Sequence, residues 1–322
     1  MSDPDADRDV AGLILHHYDF SNFSEKVRLV LGHKKLNWHS VTIPAYEPKP
    51  DYVPLTAGYR RTPALQIGAD IYCDTRLIIE ELEHRFPTPS IYPNDSAALR
   101  ARCDVLIGWA EQSLMRPLAL YISGAKAADF PDAFHADRAR LHGKRQPTVE
   151  QVQASSAKYR MQTEIQLRWI EDLLSDGSDY VLEEGVSVAD IALYEAPWFL
   201  KKLGGESAIP DDCKLIRAWM QRVAQLGHGR FEAMSPDAAL DIARNATASK
   251  ASPAPHSCPE GIEVGERVTV GPFDQQSPAT GELVAVTSER ISIRHEHPRC
   301  GAVMVHFPRL GYRLGRARTV PG

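Results

Sequence analysis

The spacing of apolar positions changes along this chain of 322 residues, and the changes mark its elements. Residues 13–15 form a short apolar run, which predicts a strand ending near Tyr18. From Phe23 onwards apolar residues return every three or four positions, which predicts an amphipathic helix over residues 24–36. Both signals recur after residue 60, where a tight turn at residues 68–70 joins two short apolar runs and a second helical pattern follows.

A proline and two helix-cap residues refine this second segment. Pro63 stands at the entry of a buried strand, where it cannot donate to the sheet. It fits a turn, in which a cis bond is one option, and would leave the preceding backbone free to pair with a ligand. Asp74 or Thr75 caps the helix that follows. The order strand, helix, strand, proline-led strand, strand, helix predicts a thioredoxin-type α/β domain over residues 11–92.

The pattern from residue 93 to residue 245 is helical. Long apolar stripes, interrupted by a polar segment from about residue 129 to 148, predict an all-α domain. Ser187 opens one of its helices as an N-cap, and Asp190 can reach back to the Ser187 amide in a capping box. That pair serves folding, and we do not assign Asp190 a catalytic role.

Alternation replaces helical spacing near the end of the chain. Residues 246–260 have the small, proline-rich composition of a linker. After it, apolar residues alternate, as at Val268 and Val270, and turn prolines separate four or five short strands. We therefore expect a small all-β, barrel-like domain over residues 261–322. Because roughly 60 residues bury only a small core, it should dock against the rest of the chain or a dimer mate.

Composition excludes several classes of function. A net charge of −5 and a pI near 6.2 provide no global field toward nucleic acid or a membrane. No apolar run reaches the roughly 18 residues that span a bilayer. The acidic start, residues 1–10, is expected to be disordered and is unlike a signal peptide. Five scattered cysteines without paired spacing indicate reduced thiols and a cytoplasmic setting.

Two serines stand at the start of the first predicted helix, where chemistry is possible. The backbone N–H groups there are unpaired and the helix dipole is positive, so Ser21 and Ser24 could stabilise an anion such as a ligand thiolate. Either serine could instead serve only as an N-cap. The spacing alone leaves both interpretations open.

Together, the Ser21 turn, the Thr62-Pro63 step and the Asp74-Thr75 helix start resemble the N-terminal domain of the cytosolic glutathione transferase superfamily. Residues 93–245 are similar to its all-helical second domain. The resemblance implies that Ser21 is the catalytic residue and that Thr62-Pro63 binds the cysteinyl part of glutathione. It also implies that Asp74-Thr75 binds the γ-glutamyl end.

The same resemblance implies a mechanism and partners. Ser21 would donate to the glutathione sulfur and lower its pKa, and the thiolate would attack a small electrophile in an apolar pocket of the helical domain. Arg61 would balance a glutathione carboxylate, and Ser24 would line the site. The turn of residues 21–24 resembles the Cys-Pro-Phe-Cys of glutaredoxin-like members with both cysteines replaced, so disulfide exchange is not expected. A homodimer without metal, nucleic-acid or membrane partners completes the expectation.

Two other functions remain open beside the transferase. A glutathione-dependent isomerase or lyase of a biosynthetic pathway would use the same site. A non-catalytic scaffold would use the transferase-like body for docking, because fold alone does not fix function.

Several further side chains fit structural roles better than catalytic or metal-binding ones. Tyr18 is assigned to the strand or the pocket wall, and the two histidines before it to the strand. A zinc site in the C-terminal segment would need an unusual ligand spacing, and a cluster of arginines over residues 309–318 reads as a solvated basic tail. The possible zinc ligands in this segment are His295, His297, Cys300 and His306, with His256 and Cys258.

Overall fold

In this computed structural model the described residues are 12–94, 96–182, 185–249, 260–274 and 276–317. The first domain has the predicted order of elements and the predicted thioredoxin-type fold. The first helix ends earlier than expected, because the chain turns at Lys35, whose φ is 53°. The elements are β1 (Leu13–His17), α1 (Asn22–His33), β2 (Asn37–Thr42), β3 (Ala64–Ile67), β4 (Asp70–Cys73) and α2 (Thr75–Arg85).

The second domain is helical, as predicted, over residues 97–224. A π-helical turn, Ala110–Leu114, joins its first two helices. No helix among the described residues is long and apolar enough to cross a membrane. The helices are α3 (Ala97–Trp109), α4 (Met115–Ala125), α5 (Asp132–Leu141), α6 (Val149–Leu173), α7 (Val188–Gly204) and α8 (Lys214–Ala224).

Two expectations for the helical segment were wrong. The polar segment after residue 129 contains α5, whose Asp137 is fully buried and paired with Arg60 of the first domain. This buried ion pair, together with the buried Phe134 and Leu141, holds the helix in place. Residues 230–245 form β5 (Arg230–Ala233), which pairs in parallel with β2, and then α9 (Pro236–Asn245).

The C-terminal β-unit, defined here as strands β6–β10, continues the sheet of the first domain. β9 runs parallel to β4, with Asp70 opposite Met304 and Tyr72 opposite His306. The sheet has ten strands in the order β10-β6-β7-β8-β9-β4-β3-β1-β2-β5. The added strands are β6 (Arg267–Pro272), β7 (Ala279–Val286), β8 (Arg290–His297), β9 (Gly301–Pro308) and β10 (Tyr312–Arg316).

Two cores lie on opposite sides of β1. Leu13 and Leu15 belong to a core shared with the helical domain, whereas Ile14 belongs to a second core shared with the C-terminal β-unit. Alternating side chains of one strand thus serve two cores. The expectation that the C-terminal unit docks on the body of the protein is confirmed by this shared core and by the β4–β9 pairing.

Candidate functional site

The register of three strands brings the predicted site segments to one edge of the sheet. His16 pairs with Ala64, and Ala64 pairs with Cys73. The turn that follows β1, the proline that precedes β3 and the helix start that follows β4 therefore lie side by side. Ser21, Pro63 and Asp74 come from these three segments.

Ser21 is the N-cap of α1. Its Oγ accepts from the Ser24 amide at 3.2 Å, and its own amide donates to the Tyr18 carbonyl at 3.2 Å. Within the described chain no acceptor is assigned to the Ser21 hydroxyl hydrogen. Ser24 is fully buried, and its Oγ has no hydrogen-bond partner among the described residues. The cap is thus formed, and the donor of Ser21 remains unused.

The Thr62-Pro63 bond is cis, and the loop before it is fixed by side chains. The Lys49 ammonium donates to Thr62 Oγ1 at 3.1 Å and to the Arg60 carbonyl at 3.0 Å. No described residue hydrogen-bonds the backbone N–H or carbonyl of Thr62. Burial, with the guanidinium groups of Arg138 and Arg60, lowers the pKa of Lys49 to about 7. The backbone of residue 62 is thus exposed to pairing by a ligand while its side chain is held.

Asp74 caps α2 in an uncommon backbone conformation. Its φ is 78°, a region that residues other than glycine seldom occupy and one that is enriched at functional sites. Its Oδ1 accepts from the Arg76 amide at 3.0 Å, and its Oδ2 accepts from the Tyr312 hydroxyl at 2.9 Å. Burial, and the nearby Glu111 carboxylate, raise the pKa of Asp74.

A buried charge cluster lies between the two domains beside Thr75. The Lys26 ammonium is 2.5 Å from Glu111 and 2.6 Å from Glu195, and it lies 3.5 Å from Thr75 Oγ1. The π-helical turn carries Glu111, and π-bulges are frequent at functional sites. Two carboxylates share one ammonium, and burial raises the pKa of Glu195 to about 8.

Sequence reasoning did not identify Lys26 and Glu195 as part of this region. A usable signal existed only for Glu195, which stands within the apolar stretch of α7, whereas Lys26 lies between Glu25 and Arg28. Charged side chains are seldom buried without a partner, so a charge in such a stretch indicates a buried partner of opposite sign.

Arg61, the predicted carboxylate partner, already contacts a carboxylate. Its Nη1 lies 3.1 Å from Oδ1 of Asp274, which belongs to the loop after β6 of the C-terminal β-unit. The Asp274 side chain is 63% exposed, so water screens this pair and its contribution to stability is small.

An aromatic wall stands beside the Ser21 turn. Tyr18 packs on Phe20, with ring centroids 4.9 Å apart, and Phe20 lies 6.2 Å from Phe130. Phe130 stacks on Phe134 of α5 at 4.5 Å. The wall gives the site one apolar side.

The two strand histidines are engaged within the fold. His17 Nδ1 accepts from Arg28 at 2.9 Å, which leaves Nε2 as the donor to Ser40 Oγ at 2.8 Å. Burial and the Arg28 charge lower the pKa of His17 to about 3. His16 Nε2 bonds Gln66 Oε1 at 2.8 Å, and burial lowers its pKa to about 4.

The side chains considered for zinc are dispersed. His306 bonds Asp70 and Ser292, and the Cys300 thiol donates to the Pro54 carbonyl. Across the described ranges no group of three or more possible ligands could hold a metal ion. Of the candidates considered, His256 and Cys258 lie outside the described residues, as does the last arginine of the basic tail.

Comparison with known proteins covers both halves of the body. Residues 15–90 match the family model described as glutathione S-transferase, N-terminal domain, and residues 153–222 match that described as glutathione S-transferase, C-terminal domain. A crystal structure of a GST-like protein from Pseudomonas syringae is 35% identical and covers 95% of this chain and 99% of its own, with a TM-score of 0.70. No curated protein matches the chain.

More distant structures share only the fold of the body. Beta-etherase LigF from Sphingobium sp. strain SYK-6 is 20% identical and covers 66% of this chain and 95% of its own, with a TM-score of 0.51. FzlA from C. crescentus is 22% identical and covers 66% of this chain and 87% of its own, with a TM-score of 0.51. The Pseudomonas syringae protein, by contrast, is matched over 95% of this chain, so the match extends beyond the body.

Proposed function

Because the chain belongs to the glutathione S-transferase superfamily, we propose that it is a glutathione-dependent transferase that conjugates glutathione to a small electrophile. One observation carries the proposal. The strand register brings together a hydroxyl, a backbone segment and a carboxylate at Ser21, Thr62 and Asp74. The described residues leave the Ser21 donor and the Thr62 backbone groups unused. Each Asp74 oxygen accepts one hydrogen bond, and a carboxylate can accept further bonds beside these two. These are the kinds of group that a tripeptide thiol requires.

Each residue has a distinct role in this proposal. Asp74 would accept from the ammonium of the γ-glutamyl end, and the Thr62 backbone would pair with the cysteinyl unit. Arg61 would contact a glutathione carboxylate. Thr75 would border the ligand at the start of α2, whereas Ser24, which is fully buried, would not contact it.

Glutathione, when bound, would supply the sulfur nucleophile. The Ser21 hydroxyl would donate to that sulfur and favour its ionised form at neutral pH, without itself being consumed. The positive end of α1 adds to the same effect. The aromatic wall of Tyr18, Phe20 and Phe130 would receive the apolar part of the electrophile.

A homodimer is part of the proposal, supported by an exposed apolar stripe on α6. Its members lie four positions apart along the helix and are 39–68% exposed. Such a stripe is unusual on a monomer and suits burial by a partner. Light scattering on the intact chain measures the mass directly. The stripe consists of Met161, Ile165, Trp169 and Leu173.

Two measurements on the intact chain test the function. Calorimetric titration compares glutathione with cysteinylglycine, which lacks the γ-glutamyl end. A spectrophotometric assay then follows conjugation to an activated aryl halide. The proposal is supported if glutathione binds, cysteinylglycine does not, and conjugation is observed. Binding without conjugation to a panel of electrophiles favours an isomerase or lyase, and no binding of either peptide favours the non-catalytic scaffold.

A further inference from the structure

The C-terminal β-unit contributes one side chain to the edge of the sheet where the site lies. Tyr312 is the first residue of β10 and is 3% exposed. Its hydroxyl lies 2.9 Å from Asp74 Oδ2. A second buried hydroxyl, that of Tyr59, lies 2.5 Å from the Tyr312 hydroxyl. Three polar groups from three parts of the chain thus form one line.

The direction of these hydrogen bonds follows from the chemistry of the groups. An ionised carboxylate can only accept, so Tyr312 donates to Asp74. Tyr312 then has only acceptor capacity left for Tyr59, so Tyr59 donates to Tyr312. The line is polarised toward the carboxylate, and a hydrogen bond to a charged acceptor is about twice as strong as one between neutral groups.

Tyr312 is held firmly where it makes this contact. It pairs with Pro272 in the β10–β6 ladder, and its ring packs 5.7 Å from Phe307. Beside it, the Ser277 hydroxyl accepts from the Arg60 amide at 3.0 Å, which ties the loop before β7 to the loop before β3. The contact with Asp74 is therefore part of a packed interface and not the reach of a free terminus.

We propose that Tyr312 is a positioning residue that holds the Asp74 carboxylate in place as the acceptor for the γ-glutamyl ammonium, so that the C-terminal β-unit completes the glutathione site. The inference rests on the proposed function. It assigns the appended unit a part in ligand recognition that the first two domains alone do not provide.

The charges around Asp74 make its pKa depend on the hydrogen bond from Tyr312. Burial and the Glu111 carboxylate raise its pKa, whereas Arg61, the Arg76 amide and the Tyr312 hydroxyl oppose that rise. Removing the hydroxyl therefore raises the pKa of Asp74 further. The ammonium binds the ionised carboxylate, so the pH below which affinity is lost should move upward. The groups that face Asp74 are Glu111, Arg61, Tyr59, Tyr312, Cys73 and the Arg76 amide.

The test is glutathione titration of the intact chain and its Tyr312→Phe variant across a pH series from about 5.5 to 8.5, a range that brackets neutrality on both sides. Near neutral pH the variant should bind glutathione about tenfold more weakly, the loss expected for one hydrogen bond to a charged group. The loss should deepen as the pH falls and shrink as it rises. A purely structural defect would lower the affinity equally at every pH.

Tyr72→Phe is the matched control. Tyr72 is a second buried tyrosine, at the β4–β9 pairing, where it stacks on His306. Its hydroxyl accepts from Arg85 at 3.2 Å and makes no contact with Asp74. The control should keep the parent's affinity and pH profile. Thermal melts of both variants without ligand report any loss of fold.

A double-mutant cycle with Asp74→Asn supplies a second test. In the Asp74→Asn background, Tyr312→Phe should cause no further loss of glutathione affinity, because the charge that Tyr312 holds in place is gone. An equal loss in both backgrounds, or an unchanged pH profile in the single variant, would overturn the positioning role while leaving the proposed function standing. If the parent chain itself does not bind glutathione, the proposed function fails, and the inference fails with it.

Discussion

Replacing Ser21 with alanine removes a hydroxyl that has two roles, one in stability and one in catalysis, and the two losses can be measured separately. As an acceptor, Ser21 Oγ caps α1 through the Ser24 amide at 3.2 Å. Loss of an N-cap costs about 1 kcal/mol of stability. As the donor to the glutathione sulfur, the hydroxyl would stabilise a developing anion, and removing one such donor typically lowers kcat by about 10²–10³.

We therefore expect Ser21→Ala to lower the rate of conjugation about 100-fold, while glutathione affinity changes by less than about threefold. The affinity should survive because Thr62 and Asp74 hold the other parts of the peptide. A hydrogen bond to a charged group contributes about 1.5–3 kcal/mol, which corresponds to about one or two pKa units of the bound thiol. The donor lowers that pKa, so its loss should shift the rise of activity to higher pH.

The assays are kcat against pH, calorimetric titration with glutathione and denaturant unfolding. Ser235→Ala supplies the matched control, since Ser235 caps α9 through the Ala238 amide at the same 3.2 Å on an exposed surface. It should lose about 1 kcal/mol of stability and keep full activity. Ser24→Ala deletes a buried hydroxyl without a partner in the described chain, so it should be neutral or slightly stabilising.

The reasoning is refuted if Ser21→Ala conjugates at the parent rate with glutathione bound. Loss of activity in Ser24→Ala would then move the role to Ser24, and loss in Tyr18→Phe would move it to the strand tyrosine. A fall in affinity as large as the fall in kcat would instead make Ser21 a binding residue.

Three further outcomes follow from the contacts of the site. Asp74→Asn, which keeps the helix cap, should weaken glutathione binding by about tenfold or more in calorimetry, whereas Thr75→Ala should have the smaller effect; unchanged affinity in both would remove the γ-glutamyl assignment. Asp274→Asn should strengthen glutathione binding by up to about fivefold, because it frees Arg61 from an exposed ion pair, and unaltered binding would show that Arg61 does not contact the ligand. Truncation after Asn245 should lower the thermal midpoint and weaken glutathione binding, and an equally stable, equally tight-binding fragment would make the C-terminal β-unit a tethered module.

The local parts of the fold and the candidate site were accessible from the sequence. Ser21, Pro63 and Asp74 each stand at a boundary between a strand and a turn or helix, where cap and proline chemistry depends on a few neighbouring residues. The capping box at Ser187 behaves likewise, since Asp190 accepts from the Ser187 amide at 2.9 Å. Local features of this kind depend on consecutive residues, so the sequence alone predicts them.

The contacts missed by sequence reasoning join distant parts of the chain. Tyr312 donates a hydrogen bond to Asp74, which lies 238 positions away in the sequence, and the residues around either one do not indicate the other. β5 was missed for a related reason, because all four of its residues are exposed and show no alternation, so only pairing with β2 makes it a strand. Lys26 and Glu195 form an ion pair between two domains, and predicting it requires knowing which helix faces meet.

The β4–β9 pairing joins the C-terminal β-unit to the strand that leads into the candidate site. An open edge at β4 would offer unpaired backbone groups to other chains, and β9 covers that edge by parallel pairing along residues 70–72. Asp74 lies two residues after this paired segment, so the strand that covers the edge also holds the chain that leads to the helix cap. Tyr312 then reaches the carboxylate from the same unit. If Asp74 is the ligand acceptor that we propose, the same strands protect the sheet edge and hold that acceptor, and a change that loosens β9 should affect both together.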